Sequence, residues 1–173
     1  MKLDYVAYME NIAIKNKAIQ HVDEDGKRAF FRNSSITSLD EFFQNMTDIK
    51  LPCLMANDFI SSKIDRNTAG VFIERCTYLF YVVDKPENNS AKEEQKVKDN
   101  TKLIIKKIIG KMDHDGFNDR KGVFPKTNLR NFEVDAIIEP LGPIGDNLYG
   151  NYCQLSIQFP INSEIKYDAD EWL

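Results

Sequence analysis

The sequence predicts an α+β fold, a mixed or antiparallel sheet of four to five strands with helices packed mainly on one face. Three observations predict it. Residues 3–22 carry apolar side chains at helical spacing. A longer amphipathic run begins at a capping box at Ser90. Two late segments, FEVDAIIEP and NYCQLSIQFP, alternate apolar and polar residues as half-buried strands do.

In the first segment Tyr5, Tyr8, Met9, Ile12 and Ile19 share one helical face. A thinner stripe of Leu3, Ala7, Ile14 and Ala18 faces elsewhere, either into the same core or toward a neighbouring subunit. The polar run Asp23-Glu24-Asp25-Gly26 ends this helix, and Ala29-Phe30-Phe31 marks a short extended piece. Ser38 and Glu41 have the S-x-x-E spacing of a capping box, opening a short helix to Met46. Cys53-Leu54-Met55-Ala56 reads as a buried strand, and residues 61–68 as a polar loop. Residues 70–84 are β-branched and aromatic, and apolar on both alternations after Cys76. This is the pattern of a central strand covered on both faces, or of one face in the core and one in an interface.

Ser90 and Glu93 cap the clearest helix, whose buried face is Val97, Thr101, Ile104, Ile105, Ile108 and Met112. Glu93 and Glu94 near its start and Lys106, Lys107 and Lys111 near its end suit the helix dipole. The lysines read as a solvated face. Gly110 begins its fraying, Gly116 closes the region, and residues 113–127 read as a polar connection. In the last two strands Phe132, Val134, Ala136 and Ile138 point one way, as do Cys153, Leu155, Ile157 and Phe159. A Gly- and Pro-rich loop from Leu141 to Gly150 joins them, longer than a simple hairpin needs.

A length of 173 residues favours one domain, over residues 1–161, followed by an acidic tail at 162–173. The net charge of -4 argues against a duplex-binding protein, so no nucleic-acid specificity is expected. Asp4, Glu10 and Lys15 interrupt the first apolar residues too early for a signal peptide. No apolar run reaches the length of a membrane span, so a cytoplasmic protein is expected. The widely spaced Cys53, Cys76 and Cys153 read as buried, reduced thiols.

Catalytic vocabulary is sparse. Asp113-His114-Asp115-Gly116-Phe117-Asn118-Asp119 is dense in oxygen ligands. It fails the EF-hand pattern, because its glycine is fourth and the twelfth residue is Phe124, so it reads as a helix-terminating turn. Glu133, Asp135 and Glu139 lie on one strand face, where solvating charge is the plain reading. His21 and His114 have no evident nucleophile partner. Gly142, Gly145 and Gly150 do not make a phosphate loop, because their loop leads into a strand rather than a helix. No metal, cofactor or catalytic residue is expected.

The order of these elements, and above all the closing segment EPLGPIGDNLYGNYCQLSIQFPI, resembles the tail-terminator, or tail-completion, proteins of long-tailed bacteriophages and prophages. The likeness rests on Gly145-Asp146-Asn147-Leu148-Tyr149-Gly150 and the amphipathic strand after it. The chain departs from that pattern at residues 113–127 and in its acidic tail. The resemblance implies a structural, non-enzymatic protein. It forms a homo-oligomeric ring, usually sixfold, that caps the tail tube and joins head-completion proteins. It would reside in the host cytoplasm during assembly and in the virion tail afterwards. The partners implied are further copies of itself, the tail tube protein and a head-completion protein. Ring contacts are expected at Leu3, Ala7 and Ile14, on the outer face of residues 71–83, and at Asp146, Asn147, Leu148 and Tyr149. The alternative from the same features is a small α+β adaptor of a secretion or injection apparatus, binding protein or peptide through exposed edges.

Overall fold

A computed structural model describes residues 3–22, 28–33, 48–58, 61–122, 129, 132–145, 147–162 and 165, with the Glu133 side chain left aside. The elements are α1 (Tyr5–Lys15), β1 (Arg28–Asn33), β2 (Ile49–Asn57), β3 (Ser61–Arg66), β4 (Phe72–Asp84), α2 (Ala91–Lys121), β5 (Phe132–Ile144) and β6 (Leu148–Pro160). The six described strands make one mixed sheet in the order β1-β2-β4-β6-β5, with β3 also paired to β4. The α+β class is as expected, with one strand more. Only β1 and β2 run parallel; the other pairs are antiparallel. The short helix expected at residues 38–46 lies outside the described residues.

Helix α1 begins at Asp4, whose carboxylate accepts the Ala7 amide at 3.2 Å. It ends at Lys15, well before residue 22, because Asn16 turns extended and its Oδ1 accepts the Ala18 amide at 2.9 Å. Ile19 is still buried, reached through the following turn.

Helix α2 starts as its sequence dictates, with Ser90 Oγ accepting the Glu93 amide at 3.3 Å. Val97, Thr101, Ile104, Ile105, Ile108 and Met112 are all buried. Its end does not follow the expectation. The helix runs through the supposed turn at residues 113–119 and stops at Gly122, whose left-handed φ of 74° closes the last turn. Gly116 is buried and permits this continuation, because a Cβ there would lie 2.6 Å from the Leu129 carbonyl oxygen. A residue read as a helix breaker is a point of close backbone approach instead.

Strand β4 is central. From Ile73 onward it pairs with β6, Ile73 opposite Pro160 and Asp84 opposite Tyr149. Its other edge is divided between β2, along residues 80–83, and β3, along residues 72–77. Phe80 and Val82 face the helices, in a core with Met9, Ile12, Ile105, Ile108, Leu155 and Ile157. Tyr81 and Val83 point the other way, into a second cluster with Cys53, Met55, Ile144 and Leu148. Both faces of this half of β4 are therefore interior, which accounts for its lack of apolar–polar alternation. The three cysteines are free and buried. Burial pushes the Cys153 thiol up to about 12 and raises that of Cys53 as well.

The β5–β6 connection corrects the sequence reading. Residues 141–144 and 148–150 belong to the strands, so only three residues separate Ile144 from Leu148. Gly150 sits tightly against Val82, where any Cβ would collide with the Val82 carbonyl. Asn151 is buried on the helix-facing side. Its Nδ2 donates to the Lys98 carbonyl at 2.6 Å and to Thr101 Oγ1 at 2.9 Å, tying β6 to α2.

Candidate functional site

The residues expected to form a contact surface divide between outside and inside. Ala7 and Ile14 are exposed on α1. Leu3 is buried in the helix-facing core and lines the larger recess described below. Leu148 is buried in the second cluster. Tyr149 is also buried, with the Lys98 ammonium 5.2 Å from its ring centroid. Asn147 is half-buried in the turn with φ 63°, and its amide donates to Asn89 Oδ1 at 2.6 Å. Asp146 lies outside the described residues. The alternation of β6 read backwards from Phe159 through Asn151 to Tyr149 was the signal that this segment is strand rather than loop. The outer face of β4 is likewise open only in part: Arg75 is exposed, but Tyr81 and Val83 are interior.

Exposed apolar residues occur on the helices, at Ile14, Leu103 and Phe117, and also at two edges of the sheet. Strand β3 was read as a loop because it is polar. It is a strand with every residue exposed, hydrogen-bonded to β4 along one side. Asn67 builds the turn that returns it, its Oδ1 accepting the Ala69 and Val71 amides at 3.0 and 2.9 Å. Ile64 on this strand is 55% exposed. At the opposite edge β5 presents Val134 and Ile137, 61% and 54% exposed. Val134 was expected in the core. Phe132 pairs with Ile157 and Ala136 with Leu155, so β5 spends four residues where β6 spends two. Val134 falls in that irregularity and is turned out. Phe132, Ala136 and Ile138 keep the inward alternation.

Two recesses open elsewhere among the described residues. The larger, about 560 Å³, is lined by Tyr5, Arg32, Asp58, Glu74, Cys76 and Tyr78, among others. Its polar groups are largely engaged. Arg32 donates twice to Asp58 at 3.0 Å, and Tyr5 packs its ring on Tyr78 with centroids 4.4 Å apart. Burial raises both tyrosine hydroxyls well above their usual range. The Tyr5 hydroxyl finds no hydrogen-bond partner among the described residues.

The smaller recess, about 190 Å³, lies between α1 and α2. Ile12 and Ile108 are its apolar lining, and Asn11, Asn16, Lys15, Lys107 and Lys111 its polar lining. At one end Tyr8 Oη donates to Asp115 Oδ2 at 2.9 Å, and Lys111 pairs with Asp115 Oδ1. Burial opposes the charge on Asp115. Hydrogen bonds from Lys111 and Tyr8, with the Lys111 charge, outweigh it and hold the carboxyl below its ordinary value. Of the polar cluster at residues 113–119, Asp115 thus joins the two helices, and Asp119 Oδ2 accepts the Leu129 amide at 2.8 Å. Both carboxylates serve packing contacts. His21 is similarly engaged, accepting the Ala29 amide at 3.3 Å with Glu10 4.0 Å away.

Among the described residues no group of three or more His, Cys, Asp or Glu side chains is placed to hold a metal ion. No helix among them is long and apolar enough to cross a membrane. No family model, no curated protein and no solved structure matches this chain.

Proposed function

We propose that this chain is a structural virion-assembly protein of the tail-terminator kind. Copies join into a ring that caps the tail tube and presents a surface to head-completion proteins. The observation that carries the reading is the pair of opposed sheet edges. Across residues 72–77 of β4 the strand order is β3-β4-β6-β5, with the exposed β3 and Ile64 on one side and Val134 and Ile137 on the other. Exposed edge strands with aliphatic side chains are templates for pairing between chains. Two different edges on one subunit suit a heterologous contact, in which β3 of one copy meets β5 of the next and the series closes into a ring. No side chain is assigned a catalytic role, and no cofactor is invoked.

The test is electron microscopy of purified tail tubes from the encoding phage, mixed with this protein. Decoration confined to one tube end is the expected result. Absence of end-binding at high protein concentration would sink the reading. A pair of variants probes the contact itself. Ile64→Lys and Ile137→Lys should each block ring formation alone. Mixed together they should give dimers, because each retains the edge that the other lacks. Capture of a secretion or injection component in place of the tube would favour the adaptor reading.

A further inference from the structure

We propose that the cleft between α1 and α2 is a docking site for an acidic segment of a partner protein, one that carries a carboxylate next to an apolar side chain. The cleft is a basic recess in a chain whose net charge is -4. Lys15, the last residue of α1, lines one wall, and Lys107 and Lys111, a turn apart on α2, line the other. The carboxylate in its lining is Asp115, which Lys111 and Tyr8 already hold. Neither helix neutralises the other two lysines. Three and four positions from Lys107 stand Ile104, Leu103, Gly110 and Lys111, and residues 100–112 hold four lysines and no acid. One turn before Lys15 stand Asn11 and Ile12, and α1 then ends. Among the described residues Lys15 and Lys107 make no ion pair. On a convex face such lysines are simply solvated. Here they converge on a concavity with apolar walls, where like charges reinforce a potential that favours an anion.

Volume and lining narrow the occupant. About 190 Å³ is below the roughly 300–1,000 Å³ of pockets that enclose a free small molecule. It suits one or two side chains projecting from a larger ligand. Ile12 and Ile108 lie between the lysines, and an inorganic anion or a phosphate backbone would leave that apolar surface uncovered. An acidic segment with a neighbouring leucine or aromatic ring answers both features. Its carboxylate pairs with Lys15 and Lys107, Asn11 and Asn16 supply amide donors on the same wall, and its apolar side chain rests on the isoleucines. Exposed ion pairs are weak alone, so recognition requires the charge and the apolar contact together. No residue of the cleft belongs to β3 or β5, so docking here is independent of ring formation.

Nuclear magnetic resonance of the full-length, isotope-labelled protein tests the site. The probe is a pool of end-capped peptides in which an adjacent glutamate and leucine are fixed and the flanking positions are random. In low salt it should shift the amide signals of Asn11, Lys15, Lys107 and Lys111. Pools with lysine in place of the glutamate, or serine in place of the leucine, should bind about fivefold more weakly or worse. Lys15→Glu and Lys107→Glu alter exposed side chains and should leave the melting transition unchanged. Each should weaken binding of the acidic pool about fivefold or more, and the double variant should respond to the lysine pool instead. An acidic pool that moves none of these signals at millimolar concentration would overturn the proposal. So would binding that neither charge reversal weakens, since the peptides would then sit elsewhere. An equal response to inorganic phosphate or to single-stranded DNA would also overturn it, because the apolar walls would then play no part.

Discussion

The two halves of β4 lie in one strand and share one partner, β6, yet they live in different surroundings. Residues 80–83 are buried on both faces, between the helix-facing core and the second cluster, with β2 alongside. Residues 72–77 have one interior face. Arg75 is exposed on the other, and the flanking strand β3 is exposed throughout. The upper half supplies stability and the lower half supplies accessible edges. Surface changes at the edges therefore need not disturb the core.

The largest effect should come from the helix-facing core. Ile105 is fully buried, and Ile105→Asp would place an unpaired charge there, at a cost of roughly 4–5 kcal/mol or more. Loss of the cooperative thermal transition by circular dichroism is expected. A soluble variant that melts normally would show that α2 does not anchor the fold. Next comes the close approach of β6 to the upper half of β4. Gly150→Ala puts a methyl group against the Val82 carbonyl and should cost about 1–3 kcal/mol in urea unfolding. If it is neutral, the two strands separate more readily than the contrast between the halves requires.

Asp115→Asn tests the contact between the helices. At neutral pH it should cost about 1 kcal/mol, since Lys111 is half exposed and its charge is screened. The carboxyl is held below its ordinary value in the folded state. Its contribution is therefore present above the unfolded pKa of about 3.9 and is lost as pH falls through the lower folded value. The gap in melting temperature between the variant and the parent should narrow in acid, and a gap independent of pH would refute the assignment. The smallest effect on folding belongs to β3. Ile64→Lys should change stability by no more than about 0.5 kcal/mol, while the proposed ring assembly, followed by light scattering, is lost. Destabilisation comparable to that of Gly150→Ala would make β3 part of the core and erase the contrast between the two halves.

Legibility followed the range of the interactions. The start of α2 was readable from Ser90 and Glu93, and its buried face from the spacing of Val97 to Met112, because caps and helical periodicity act within a few residues. Its end was not. Gly116 and the acidic cluster carry turn chemistry locally, and what carries the helix past them is packing against Leu129 and the bond from Tyr8 to Asp115, between residues 107 positions apart. The candidate surfaces were the least readable part. Ile64 sat in an apparent loop because an exposed edge strand has no apolar face to show. Val134 kept perfect alternation and was turned out by a register shift that only its pairing with β6 reveals. Lys107 belonged to a run read as a solvated face, and it became part of a cleft only when α1 lay beside it.

Composition and periodicity alone were enough for the α+β class, the inward faces of the helices, the alternation of β6 and the burial of the three cysteines. Each follows from the cost of exposing apolar side chains along one regular element. The partition of β4 between β2 and β3, the tight β5–β6 turn, the outward Val134 and the lysine-lined cleft were decided by tertiary contacts. They depend on which distant backbone edges and side chains meet, and no local pattern encodes that pairing.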